Sequence, residues 1–173
     1  MIDFLTIEYL KSGNSRQREA FQILTQHAIL EQLSAFNPVL VGTIPIGIDI
    51  PSSDLDIACH WTDKDQFHNH IIAAFGEKAG FQISQTIING HETVISSFVL
   101  DNFEIEIFGQ DIPVKKQYGY RHMLIEYKIL EQQGEQFREK IRELKNEGYK
   151  TEPAFALLLG LDGNPYEALL KLE

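Results

Sequence analysis

The sequence predicts an α/β or α+β domain, a mixed β-sheet flanked by helices with a helical C-terminal third. Three observations carry that expectation. Apolar residues recur at helical spacing in segments before, between and after the strand patterns. Short runs rich in Val, Ile and Phe alternate with polar residues and are punctuated by Asn-Gly and Asp-Asn pairs. The segments follow the order helix, strand, strand, helix, three strands, and then helices alone.

Asp3 caps a short first helix that ends at Gly13, and Asn14 or Ser15 starts a longer one. Phe21, Leu24, Ala28, Leu33 and Phe36 share one side of that longer helix, and Pro38 closes it. Val39-Leu40-Val41 reads as a buried strand broken by Gly42. The stretch from Gly42 to Ser53 holds two Gly and two Pro, so it is mostly loop or hairpin. Asp54 to Trp61 is the next strand. Asp63 to Gly80 is a helix with Phe67, Ile71, Ala74 and Phe75 on one face. Strands Phe81–Ile88, Glu92–Leu100 and Phe103–Phe108 follow, joined by turns at Asn89-Gly90 and Asp101-Asn102. Pro113 opens a helix that runs to about Gln133 and stops at Gly134. Glu135 to Gly148 is another. Thr151-Glu152-Pro153 and Asn164-Pro165 start two short final helices, the second with Pro at its first turn. No repeat or linker divides the chain, which reads as one domain over residues 1–173 with its helical part from about residue 113.

Composition narrows the function classes. At 173 residues one continuous core is expected. A net charge of −10 argues against extended binding along DNA, which needs a basic surface. The single cysteine, Cys59, leaves no internal disulfide and no Cys-based zinc site, and fits a reducing compartment. Met1-Ile2-Asp3-Phe4 lacks the basic start and long apolar run of a signal peptide, and no run of about 18 apolar residues occurs. A cytoplasmic protein without a membrane partner is the expectation.

The chemistry concentrates where the glycine- and proline-rich loop ends, at Asp54-Leu55-Asp56. Residues i and i+2 of a strand share a face, so these carboxylates stand side by side and repel unless a cation lies between them. Hard oxygen donors of this kind suit Mg²⁺ or Mn²⁺. Glu104 and Glu106 form a second such pair. If their strand lies beside the first, one of them completes a three-carboxylate cluster; Glu106 is favoured and Glu104 is the fallback. Bound metal and an NTP triphosphate fit such a cluster and support in-line displacement at phosphorus. Lys116 or Arg121 offers a phosphate contact. His122 is a possible proton donor, although a packed histidine is commoner. Trp61 and Cys59 read as packing residues.

A Gly-Gly or Gly-Ser turn after a strand, an Asp-x-Asp further on and a third carboxylate on a later strand mark the nucleotidyltransferase superfamily related to DNA polymerase β. This chain resembles that pattern through Gly42-Thr43, Asp54-Leu55-Asp56 and Glu106. The stretches from Leu40 to Ile50, from Glu104 to Gln110, from Tyr120 to Met123 and from Thr151 to Ala156 more specifically resemble DUF4269, a family of small bacterial proteins of unknown function. The resemblance implies a nucleotidyltransferase-like fold and a nucleotide site touching Gly42, Thr43 and Ser53. Thr43 departs from the usual Gly or Ser; its hydroxyl can bond a phosphate oxygen, while its β-branch crowds the approach.

The leading expectation is therefore an enzyme that moves a nucleotidyl group from an NTP to a small-molecule, protein or RNA hydroxyl, with Mg²⁺ on Asp54, Asp56 and Glu106. So small a core is expected to work with a partner protein or as an oligomer. A catalytically degenerate nucleotide-binding or regulatory module and a metal-dependent phosphohydrolase are the alternatives.

Overall fold

The computed structural model describes residues 2–173. A 3₁₀ turn over Glu8–Ser12 leads into α1 (Ser15–Gln26), where Asn14 and Gln17 form a reciprocal capping box. The single long helix expected here breaks. Ala28 adopts a left-handed backbone with φ of 50°, and the chain restarts as α2 (Ile29–Gln32) and a 3₁₀ turn at Ser34–Phe36. The break brings Ile29 and Leu33 both to full burial, so core packing outweighs the cost of the αL residue.

Five strands form one mixed sheet: β1 (Val39–Val41), β2 (Leu55–His60), β3 (Gln82–Ile88), β4 (His91–Leu100) and β5 (Phe103–Gln110). Their order is β1-β2-β5-β4-β3, and only the β2–β5 pair is parallel. That parallel pair needs a long crossover, which α3 (Lys64–Phe75) and the β3–β4 hairpin supply. Asp63 caps α3 by accepting from the Gln66 amide at 2.9 Å. Gly109 lets α3 approach the sheet, because a Cβ there would collide with the Phe67 ring.

Four helices follow: α4 (Tyr118–Gln133), α5 (Glu135–Asn146), α6 (Thr151–Leu159) and α7 (Pro165–Leu170). The region after Pro113 starts as a 3₁₀ turn, Val114–Lys116, and not as continuous helix. Strand alternation separates two apolar clusters. Leu40, Leu55, Ile57, Ile105 and Ile107 pack with the first three helices. Val39, Val41 and Ala58 on the other face pack with Met123, Ile141 and Phe155 of the C-terminal helices. No helix among the described residues is long and apolar enough to cross a membrane.

Candidate active site

The second face of the sheet carries the acidic residues. Asp56 of β2 lies opposite Glu106 of β5 in the parallel register, and Asp54 sits on the loop just before β2. All three line one cavity of about 580 Å³ between the sheet and the C-terminal helices. Burial first, and then Asp54 and Glu106, push the Asp56 carboxyl up to about 8. Glu106 is also raised, by burial and then by Asp54 and Glu104, with Lys150 opposing.

Glu104 shares a strand face with Glu106 but is exposed and does not line the cavity. Two residues along a strand is roughly 6.5 Å, enough to carry it past the cavity rim. The fallback third carboxylate is thereby displaced from the site. Among the described residues no three His, Cys, Asp or Glu side chains are gathered closely enough to hold a metal ion. The donor chemistry of Asp54, Asp56 and Glu106 nevertheless suits a hard divalent cation, since three carboxylate side chains from two adjacent strands and the loop before one of them share one cavity without a matching number of cations.

The turn after β1 is shaped around Asp56. Gly42 has φ of +84°, and a Cβ there would strike the Asp56 carboxylate. Glycine is required on both counts. Thr43 and Ser53 both line the cavity and stand 3.3 Å apart, hydroxyl to hydroxyl. Ser53 Oγ also accepts from the Ile50 amide at 3.0 Å, which folds the end of the loop.

This loop is buried, with Ile44, Ile46 and Ile48 all in the core, so its carbonyls need partners. Five successive carbonyls receive side-chain donors. Gln17 of α1 donates to Ile44 at 2.9 Å and to Pro45 at 3.2 Å. From α5, Arg138 donates to Ile46, Arg142 to Gly47 at 2.6 Å, and Lys145 to Ile48 at 3.0 Å. Positions 138, 142 and 145 share one helix face. The sequence reading missed this clamp, although the i, i+4, i+7 spacing of cations was the available signal.

The expected phosphate contacts lie elsewhere. Arg121 is held by the Glu173 carboxylate at 3.1 Å, outside the cavity. Lys116 lines two other hollows near the sheet's far end. Both follow the third carboxylate closely in sequence, but neither the 3₁₀ turn that carries Lys116 nor α4, which carries Arg121, brings them to it. The lysines that do line the cavity are Lys145 and Lys150, brought in by the helical hairpin that follows. Burial holds Lys145 below its usual range, with Asp49 and Glu126 opposing.

The helical wall adds further groups. His122 and Glu126 come from α4 and Glu152 from α6. His122 Nε2 meets the Tyr166 carbonyl at 2.9 Å, and its Nδ1 lies 3.6 Å from Glu152. Burial, and then Glu152, hold the Glu126 carboxyl well above the carboxylate range, with Lys145 opposing. Cys59 and Trp61 are buried packing residues, as expected.

The fold is shared with solved nucleotidyltransferases. The chain is 13% identical to the Cid1 poly(U) polymerase bound to Mg and 3′-dATP, with a TM-score of 0.52 over 80% of this chain and 45% of that one. It is 15% identical to a chain of the GLD-2/RNP-8 complex, with a TM-score of 0.53 over 89% of this chain and 63% of that one. A cytoplasmic RNA terminal U-transferase gives a TM-score of 0.50 at 13% identity, over 80% of this chain and 45% of that one. The chain therefore spans under two thirds of the length of the structures it resembles. No functionally curated protein shows significant sequence similarity to it. Residues 22–172 match the family described as Domain of unknown function (DUF4269), so the chain belongs to the DUF4269 family, on a nucleotidyltransferase-like fold.

Proposed function

We propose that this protein is a metal-dependent nucleotidyltransferase that moves a nucleotidyl group from an NTP to an acceptor hydroxyl. The observation that carries the reading is the β2–β5 register, which sets Asp56 against Glu106 on the cavity face, beside Asp54 and under the Gly42-Thr43 turn. Asp54, Asp56 and Glu106 would hold Mg²⁺ or Mn²⁺. When bound, the ion supplies Lewis-acid polarisation of the phosphoryl group.

The protein's own residues have separable tasks. The clamped loop holds the Gly42 and Thr43 backbone and the Thr43 and Ser53 hydroxyls toward the phosphates. Lys145 and Lys150 balance phosphate charge on the side facing α5 and the loop after it. The acceptor oxygen bonds to the α-phosphorus while that phosphorus loses its bond to the bridging oxygen. Pyrophosphate leaves with the electron pair, and the hydroxyl proton passes to Glu106. A carboxylate that faces the acceptor side of the cavity suits a general base. The likeness to nucleotidyltransferases supports this reading at the level of fold.

A second reading, a nucleotide-binding module without transfer, is favoured by one observation: the three acidic side chains are not gathered to metal-holding distance. Isothermal titration of Mg²⁺ with each NTP tests the site. Wild type is expected to bind in a Mg²⁺-dependent manner and Asp56→Asn at least tenfold more weakly. Incubation with NTP labelled at the α-phosphate and cell extract then separates the outcomes. Labelled acceptor supports the transferase; binding without labelled product supports the module; breakdown of NTP without an acceptor supports a phosphohydrolase. No binding by wild type overturns the nucleotide site itself.

A further inference from the structure

The cavity has two acidic walls, and the transferase reading uses only the one on the sheet. Opposite it stand Glu126 and Glu152, with His122 between α4 and α6. Glu126 is 3% exposed, and its Oε1 is buried with no hydrogen-bond partner. A buried carboxyl oxygen left unpaired is costly, so a conformation that keeps one against a cavity is set up for a donor from outside the fold.

His122 adds a second excess of acceptors. Its Nε2 faces the Tyr166 carbonyl at 2.9 Å, so that nitrogen carries the hydrogen. In the neutral ring this leaves a lone pair on Nδ1, which points at Glu152 Oε1 at 3.6 Å. The pair closes with a proton on Nδ1 or with a donor placed beside it. Lys145 donates to the Ile48 carbonyl at 3.0 Å and makes no hydrogen bond to Glu126 or Glu152. The helical wall thus holds an unpartnered Glu126 oxygen with Glu152 and His122 beside it, more acidic side chains than the neighbouring lysine offsets.

A triphosphate is repelled from such a wall, so the wall faces the other reactant. We infer that the acceptor is a small molecule bearing at least one protonated amino group beside its hydroxyl, with the ammonium held by Glu126 and Glu152. The inference rests on the transferase reading for the role of the hydroxyl, but the amine site stands on the wall alone. An ammonium supplies several N–H donors and the positive charge that two neighbouring carboxyls require. RNA supplies N–H donors but no positive charge, and its backbone adds negative charge to a cavity already rich in carboxylates.

Ethanolamine, 1,3-diamino-2-propanol and glucosamine are suitable probes, each set against an uncharged counterpart: ethylene glycol, glycerol and N-acetylglucosamine. Binding to the full chain is followed by NMR titration without nucleotide or metal. At least one amine is expected to bind at least tenfold more tightly than its counterpart and to shift the ring signals of His122. Glu126→Gln and Glu152→Gln are each expected to weaken that binding tenfold or more, while Glu104→Ala, outside the cavity, keeps it. Two glutamine variants are used so that a folding defect in one leaves the other to decide. Equal binding of amine and counterpart overturns the inference, as does undiminished amine binding in both glutamine variants. Amine binding in a protein that ignores Mg²⁺ and NTP sinks the transferase reading and leaves the amine site. Mg²⁺–NTP binding without amine binding does the reverse.

Discussion

Ile57 and Asp56 are chain neighbours on β2 that face opposite sides of the same sheet, and the two sides follow different rules. Ile57 is fully buried among Leu55, Ile105 and Ile107 against the first three helices. That side is hydrocarbon throughout the central strands and asks only for volume and shape. Asp56 faces the C-terminal helices across a cavity lined by carboxylates, lysines and a histidine. That side keeps charges close together at a cost to stability, as the raised Asp56 and Glu106 carboxyls record. One face secures the strands and the other uses their rigidity to hold groups that repel each other.

The sharpest way to break this comparison is to truncate the two neighbours in turn. Ile57→Ala leaves a cavity in the hydrocarbon layer and is expected to cost about 2–5 kcal/mol in urea unfolding. Its effect on nucleotide affinity, measured on the fraction still folded, is expected to be small. Asp56→Asn is expected to do the opposite, leaving stability unchanged or raised while removing Mg²⁺-dependent binding. If both variants lose stability equally, the two faces are not separable and the division of labour fails.

A pH series is expected to show the next largest effect. Burial and the neighbouring carboxylates keep the proton on folded Asp56 up to about 8, whereas an unperturbed aspartate releases it near 3.8. Between those two values the folded state holds a proton that the unfolded state has released. Stability of the metal-free protein therefore falls as pH rises through that window, by at most about 1.4 kcal/mol per pH unit from this group. The direction is the reverse of that for a carboxylate stabilised by an ion pair. Melts in EDTA at pH 5, 6.5 and 8 check it, and Asp56→Asn is expected to flatten the slope. A slope that survives the substitution unchanged would assign the effect to Glu106 or Glu126 instead.

The two faces also differed in how readable they were. The hydrocarbon side was legible because its signal is local: period-two alternation in Leu55-Asp56-Ile57 and Ile105-Glu106-Ile107 marks strand and face together. The same alternation placed Asp54, Asp56 and Glu106 on one side, and the parallel register brings them to one cavity. The opposite wall was not legible in that way. Glu126 and Lys145 look like solvated helix residues until the packing of α4 against α5 and α6 buries them. Arg121 and Lys116 were favoured as phosphate contacts for being near Glu106 in sequence, and the direction of α4 and of the turn before it took both out of the cavity. The break at Ala28 was hidden because alanine is the best helix former, and only the demand to bury both Ile29 and Leu33 overrides it.

The smallest expected effect tests how the two sides are joined. Arg138, Arg142 and Lys145 tie α5 to three successive loop carbonyls, so the helical wall and the Gly42 turn move as one body. Arg142 is the best probe because it is the most exposed of the three and does not line the cavity. Arg142→Met keeps the aliphatic stem and removes one charge-assisted bond, which at a partly exposed site is worth about 1 kcal/mol. Hydrogen exchange is expected to quicken at the Gly47 and Ile48 amides, whose bonds to the Ile44 and Thr43 carbonyls close the turn. Exchange in β4 and β5 should stay unchanged, since neither strand depends on that contact. A global loss of protection would mean that the clamp supports the whole fold. A local one would mean that α5 sets the nucleotide loop against the acidic strands, coupling the face that folds to the face that binds.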